Sequence, residues 1–122
     1  MILLIDDNHD LVAAFQLILK SRGYDAHSIS STKEALDFLA AVKPLPELIL
    51  LDYSMPEMNG EEFIVELLQR MPHIMSQSKI VGFSSFSQDD FAIERFKKMT
   101  AGSSEKPFGI ESLITLVQKH LQ

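Results

Sequence analysis

Cysteine is absent from this chain of 122 residues, and its absence excludes several chemistries at once. Without a thiol there is no disulfide framework, no thiolate metal site and no cysteine nucleophile. Basic residues are also few, because 11 Lys and Arg stand against 17 Asp and Glu, for a formal net charge of -6. Direct nucleic-acid binding through a broad basic surface is therefore not expected, whereas an acidic site that attracts a cation fits this balance.

Long apolar runs are missing as well. No stretch approaches the ~20 apolar residues of a membrane-spanning helix. The apolar run 1–5 leads directly into Asp6 and Asp7, so it is too short and too acidic for the core of a secretion signal. We therefore expect a cytoplasmic protein with no membrane partner.

What is present is the composition of a globular domain. Apolar residues make up 46% of the chain and charged residues 23%, which is the ordinary balance of a folded protein. A chain of this length can bury a core but is too short for two domains. Residues 1–122 are therefore expected to form one domain.

The apolar pattern alternates between two periods along the chain. Short continuous apolar runs indicate buried strands, and apolar residues that recur every three or four positions indicate helices. The predicted strands are 1–5, 25–29, 47–51, 79–83 and 101–104. The predicted helices are 10–20, 33–42, one after the turn that ends at Gly60, 89–99 and 110–121. Strands that alternate with helices predict an α/β fold with a parallel sheet.

Polar side chains follow four of these strands. Asp6 and Asp7 come after the first strand, Asp52 after the third, Ser84 after the fourth and Lys106 after the fifth. In parallel sheets ligands bind at the carboxyl ends of the strands, where these residues would converge. Clustered carboxylates repel one another, so a hard divalent cation, first of all magnesium, is the expected resident. A carboxylate nucleophile at Asp52 would then allow aspartyl-phosphate chemistry, with Lys106 and Ser84 holding the phosphoryl oxygens.

The ordered set of these residues resembles the response-regulator receiver family. The resemblance covers essentially the whole chain and rests on Asp6-Asp7, Asp52 with Pro56 and Gly60 four and eight residues later, Ser84, and Lys106-Pro107-Phe108. It implies a doubly wound, flavodoxin-like α/β fold. In that fold a five-stranded parallel sheet of order 2-1-3-4-5 is covered by five helices.

The resemblance also implies a role for each acidic residue. Asp52 is similar to the phosphoacceptor, which takes a phosphoryl group from a histidine kinase, a phosphotransfer protein or a small phosphodonor. Asp7 resembles the direct Mg2+ ligand, Asp6 one that acts mostly through water, and the backbone carbonyl of Ser54 a further ligand. The implied output is a conformational switch read by a downstream protein partner or by self-association.

Two more roles are implied for the strand-end residues near the C-terminus. Lys106 would bridge the phosphoryl group and the acidic cluster, and Ser84 would move toward the phosphoryl group and couple it to the surface. Pro107 is similar to the cis proline of the family. The implied readout face comprises the fourth helix, the fifth strand and the fifth helix.

The chain departs from the family at the usual switch aromatic. That residue stands three positions before the lysine, where this chain has Ser103. Gly82 leaves room in the fourth strand, and our hypothesis is that Phe83 or Phe86 takes over part of the missing function. Ser85 adds bulk and polarity beside the expected phosphoryl pocket.

Plainer interpretations exist for each residue taken alone. Asp6 and Asp7 could be acids that favour the dipole of the first helix, Ser84 a turn serine and Lys106 a solvated loop lysine. Only their occurrence in order beside Asp52 favours a site.

Two rival functions follow from the same residues. A degenerate receiver would act as a phosphorylation-independent protein-interaction module, and Ser103 and Ser85 leave that alternative open. A phosphohydrolase of the aspartyl-phosphate type typically has Asp-x-Asp, and Asp52-Tyr53-Ser54 lacks the second acid. We therefore expect a switch that catalyses only its own phosphorylation and dephosphorylation, and no enzyme in the usual sense.

Overall fold

A computed structural model describes residues 1–84, 91–105 and 109–121 of the chain. Its strands are β1 (Ile2–Ile5), β2 (Ala26–Ile29), β3 (Leu48–Asp52), β4 (Lys79–Ser84) and β5 (Gly102–Glu105). Its helices are α1 (His9–Ser21), α2 (Thr32–Ala41), α3 (Gly60–Arg70), α4 (Phe91–Met99) and α5 (Ile110–Leu121). Strands and helices alternate as the sequence predicts.

The strands form one parallel sheet in the order β2-β1-β3-β4-β5. This order confirms the doubly wound arrangement of five strands and five α-helices. The two central strands β1 and β3 are buried along their whole length, because helices cover both faces of the sheet.

Alternate residues of the strands supply two separate cores. One face packs under α2, α3 and α4 and takes Leu3, Ile5, Ile49, Leu51 and Ile80. The other packs under α1 and α5 and takes Ile2, Leu4, Leu48, Leu50, Val81 and Phe83. Because neighbouring strand residues point to opposite faces, residues that are adjacent in the sequence belong to different cores.

Polar side chains set where three of the helices begin. The side chain of Asn8 accepts a hydrogen bond from the amide of Leu11 and caps α1, and Ser31 caps α2 in the same way. Asn59 and Glu62 bond each other's backbone amides in a capping box at the start of α3. These caps satisfy amide groups that have no partner inside the helix.

The structure also differs from the sequence-based prediction in small respects. Asp52 and Ser84 are the last residues of β3 and β4 and do not follow them. A short 3-10 helix at Ile74–Ser76, which we did not predict, leads into β4. Predicted helix residues 89 and 90 lie outside the described part of the chain. Among the described residues, no helix is long and apolar enough to cross a membrane.

Candidate functional site

Three aspartates meet at the carboxyl end of the two central strands. β1 and β3 are neighbours and place Ile5 opposite Leu51, so the next residues, Asp6 and Asp52, lie at the same level of the sheet. One carboxylate oxygen from each of Asp6, Asp7 and Asp52 lies within 4.8 Å of the others. The structure thus brings together three acids that are separated by up to 46 positions (52 − 6) in the sequence.

The surroundings of these acids favour a hard cation. Asp6 and Asp52 are buried, with 3% and 1% of their surface exposed, whereas Asp7 is exposed. Close, buried carboxylates repel one another and lose hydration, and a divalent cation offsets both effects. The donors are all oxygen atoms, as Mg2+ prefers, and the exposed Asp7 leaves a side open for water or phosphoryl ligands. The residues present therefore fit Mg2+.

A backbone contact orients one of these carboxylates. The amide of Asn8 donates a 3.0 Å hydrogen bond to Oδ1 of Asp6, and the amide of Asp6 itself bonds the carbonyl of Ile29 in β2. Asp6 is therefore held between the start of α1 and the end of β2.

Ser84 lies on the neighbouring strand, one residue beyond the position opposite Asp52. β3 and β4 pair Asp52 with Phe83, and Ser84, which is 8% exposed, ends β4. β4 and β5 in turn pair Ser84 with Glu105. Lys106, Pro107 and Phe108 come next and lie outside the described residues, as do Ser85 and Phe86.

Ser54 lies two residues after Asp52, in the loop that leads to α3, and is exposed. The loop is tied at both ends: Tyr53 donates its amide to the carbonyl of Phe83, and Gly60 donates its amide to the carbonyl of Tyr53, at 2.9 and 2.7 Å. Its conformation is therefore set by β4 on one side and by α3 on the other. That the Ser54 carbonyl ligates a metal stays a prediction.

Sequence reasoning missed a small pocket beside Asp7. It lies between the loops that follow β2 and β3 and is lined by Asp7, Ser30, Ser31, Thr32, Met55, Pro56 and Glu57. The hydroxyl of the buried Thr32 donates a 3.2 Å hydrogen bond to Glu57 and closes one wall. No local pattern signals this contact, because the two residues are 25 positions apart.

The aromatic ring beside Gly82 is not the one that the sequence suggests. Phe83 is buried in the core under α1 and α5, and the backbone of Ser103 pairs with Gly82. The side chain beside Gly82 is Phe96 of α4, which belongs to the opposite core. Phe83 therefore does not fill the space that Gly82 leaves.

Comparison with known proteins agrees with this architecture. Residues 2–118 match the response regulator receiver domain family. The chain is 27% identical over 120 residues to sporulation initiation phosphotransferase F of Bacillus subtilis, covering 98% of this chain and 92% of that protein. It is 30% identical over 121 residues to sensor kinase CckA of Brucella abortus, where 99% of this chain corresponds to only 12% of the relative.

A solved structure shows the same fold. Chemotaxis protein CheY4 of Vibrio cholerae superposes with a TM-score of 0.82 at 22% identity, covering 98% of this chain and 97% of that one. The family match extends over nearly all of the chain and includes every strand and the three clustered acids. The chain belongs to the response regulator receiver domains of two-component phosphorelay signalling.

Proposed function

We propose that the protein is a phosphoacceptor receiver that takes a phosphoryl group on Asp52 with Mg2+ and signals the change to a partner. The observation that carries the proposal is the acidic cluster: Asp52 ends a buried central strand with a carboxylate oxygen within 4.8 Å of those of Asp6 and Asp7. A carboxylate beside a cation site is the arrangement that aspartyl-phosphate chemistry needs.

The phosphoryl transfer itself is a simple displacement. A carboxylate oxygen of Asp52 attacks the phosphorus of a phosphohistidine or of acetyl phosphate, the new O–P bond forms, and the bond from phosphorus to the donor nitrogen or oxygen breaks. The leaving group departs as imidazole or acetate. The nucleophile in this step is the carboxylate form of Asp52, which carries no proton that has to be removed.

The remaining residues bind and orient. The carboxylates of Asp6, Asp7 and Asp52 and the carbonyl of Ser54 would hold Mg2+. Bound Mg2+ neutralises negative charge that accumulates on the phosphoryl oxygens. Ser84, which ends the adjacent strand, would donate its hydroxyl to a phosphoryl oxygen. Lys106, the next residue along the chain after β5, is assigned its phosphoryl contact from the family resemblance alone.

The partners follow from the relatives. One relative is named a sensor kinase and another a phosphotransferase, which supports a histidine kinase or a phosphotransfer protein as the donor. A downstream protein or a second copy would read the switched state on α4, β5 and α5. As is typical of receiver domains, we place the protein in the cytoplasm, as a single domain over residues 1–122 that catalyses only its own phosphorylation and dephosphorylation.

The decisive experiment is acetyl phosphate labelling followed by intact-protein mass measurement. With Mg2+, the wild type is expected to gain one phosphoryl group, and Asp52→Asn is expected to gain none. Asp37→Asn is the matched control, because Asp37 is an exposed acid on α2 that is not part of the cluster. Removal of Mg2+ should suppress labelling of both the wild type and the control.

Three results would contradict the proposal. Labelling of Asp52→Asn to the wild-type extent would show that another residue is the acceptor. A wild type that neither gains a phosphoryl group nor responds to beryllofluoride would favour the phosphorylation-independent interaction module. Repeated turnover of a phosphate ester, lost in Asp52→Asn, would instead indicate a phosphohydrolase.

A further inference from the structure

The ring of Phe96 occupies a slot between two glycines. Phe96 lies on α4 and is 1% exposed. A Cβ added at Gly82 of β4 would lie 2.7 Å from the ring atom Cζ, and one added at Gly60 of α3 would lie 2.6 Å from Cε1. Real Cβ atoms do not approach so closely, so the ring fills the space that side chains at both glycines would need.

This slot adjoins the backbone of the proposed phosphoacceptor. The Cβ position of Gly60 lies 3.0 Å from the carbonyl oxygen of Asp52, and the amide of Gly60 bonds the carbonyl of Tyr53. The rings of Tyr53 and Phe96 pack with centroids 5.2 Å apart and planes tilted by 57°. Phe96 therefore contacts the residue that directly follows Asp52 and the glycine that packs against the Asp52 backbone.

Phe96 also anchors α4 in the core, where the partly buried Met99 packs as well. Among the α4 residues whose side chains are described, only Phe96 is buried. Beside it, Arg95 forms a 3.0 Å ion pair with Glu61 in the first turn of α3, but Arg95 is largely exposed, and exposed ion pairs contribute little to stability. A shift of α4 therefore requires the Phe96 ring to move against Tyr53 and the two glycines.

We propose that Phe96 is a positioning residue that couples α4 to the acidic site. The position of its ring determines both the conformation of the Tyr53–Gly60 loop and the position of the helix. The inference rests on the proposed function, since it assigns the path by which phosphorylation of Asp52 reaches the readout face. Because coupling is reciprocal, a change in the position of the Phe96 ring also changes the affinity of the acidic site for Mg2+ and beryllofluoride.

Nothing in this path uses the position of Ser103. The strand that contains Ser103 pairs through its backbone with the strand that contains Gly82, and the aromatic ring comes from α4 instead. The ring that fits between Gly60 and Gly82 therefore belongs to α4, the helix whose movement a partner would read.

Amide NMR with and without beryllofluoride and Mg2+ tests the proposal. Two variants change the slot from opposite sides: Phe96→Leu shortens the side chain, and Gly82→Ala places a methyl group where the ring lies. Phe15→Leu is the matched control, because Phe15 is a buried phenylalanine in the core on the other face of the sheet. Thermal melts establish that each variant is folded before the titration.

In the wild type and in Phe15→Leu, the amide signals of both the acidic site and α4 are expected to shift. In Phe96→Leu and Gly82→Ala, the signals around Asp52 should still shift while most of the α4 response is lost. The beryllofluoride affinity of these two variants should change by about fivefold or more, the lower end of ordinary coupling factors.

Tyrosine fluorescence provides a second readout at the contact itself. The chain has no tryptophan and two tyrosines, so Tyr24→Phe leaves Tyr53 as the sole source of tyrosine emission. Beryllofluoride should change that emission when Phe96 is present, and Phe96→Leu should reduce the change.

Full α4 responses in both Phe96→Leu and Gly82→Ala, equal to that of Phe15→Leu, would overturn this inference and leave the proposed function intact. A wild type that does not respond to beryllofluoride at the acidic site would overturn the proposed function, and this inference with it.

Discussion

The Nζ of Lys79 donates a 3.0 Å hydrogen bond to the backbone carbonyl of His120 and so joins the first residue of β4 to the last turn of α5. The imidazole of His120 packs against β5, since a Cβ added at Gly102 would lie 2.7 Å from its Cε1. Burial, together with the charges of Lys119 and Lys79, lowers the pKa of His120 below its usual value of 6.5. The native state therefore favours the neutral imidazole.

We expect acidification to destabilise the fold through His120. In the unfolded chain His120 binds a proton near pH 6.5, whereas in the native state it does so only at lower pH. The contribution of His120 to the free energy of unfolding is therefore fully present above pH 6.5 and is lost as the pH falls toward the lowered native pKa. In urea unfolding, His120→Gln should lose less stability over this window than the wild type. His73→Gln, at an exposed site, should follow the wild type, and identical pH profiles for all three proteins would contradict the prediction.

Mg2+ should stabilise the native state through the acidic cluster. A ligand bound only by the native state contributes about 2.7 kcal/mol at ~100 times its Kd, and the cluster of Asp6, Asp7 and Asp52 does not exist in the unfolded chain. Thermal melts in MgCl2, compared with NaCl of equal ionic strength, should show a stabilisation that Asp7→Asn and Asp52→Asn reduce. The control Asp37→Asn should keep it, and an equal response of all four proteins would place the metal elsewhere.

Loss of the capping box should weaken α3. Asn59→Ala removes the side-chain oxygen that accepts the amide of Glu62 at 2.8 Å, and such changes cost about 1 kcal/mol. Asn59→Ser retains an acceptor and should recover most of the loss in the free energy of unfolding. Equal values for the two variants, measured by urea unfolding, would show that the side-chain bond contributes nothing.

A methyl group added at Gly60 should lower the free energy of unfolding far more than one added at Gly109. At Gly60 it would lie 2.6 Å from the Phe96 ring and 3.0 Å from the Asp52 carbonyl, whereas at Gly109 nothing lies within 4 Å. Overpacking of this kind typically lowers the free energy of unfolding by about 1–3 kcal/mol. A substitution at an exposed site typically changes it by no more than about 0.5 kcal/mol. Urea unfolding of Gly60→Ala and Gly109→Ala measures this difference. Similar losses of stability in the two variants would show that the Phe96 ring moves aside at little cost.

Much of the fold could be predicted because its signals are local. The runs in β1 and β3 are apolar along their length, since both faces of these strands are buried. The grouping of Asp6, Asp7 and Asp52 followed from the rule that parallel strands end at the same edge, and the structure places their carboxylates together. The roles assigned to these residues stay predictions, as does the role of Lys106.

The slot of Phe96 could not be predicted in the same way. Its walls, Gly60 and Gly82, lie on different elements, and a phenylalanine at helical spacing is indistinguishable from any other core residue. Of the two candidates that we took from the sequence, Phe86 lies outside the described residues, and Phe83 is the neighbour of Gly82 on one strand. Neighbours on a strand point to opposite faces, so Phe83 enters the core under α5 and cannot fill the gap that Gly82 leaves.

Asn8 connects the start of α1 to the acidic cluster. Its side chain holds the amide of Leu11, and its own amide holds a carboxylate oxygen of Asp6. A cation that draws Asp6 toward itself would therefore also displace Asn8, which caps the helix. The first turn of α1, which lies on the face of the sheet opposite to α4, would then move when a cation binds at the neighbouring acids.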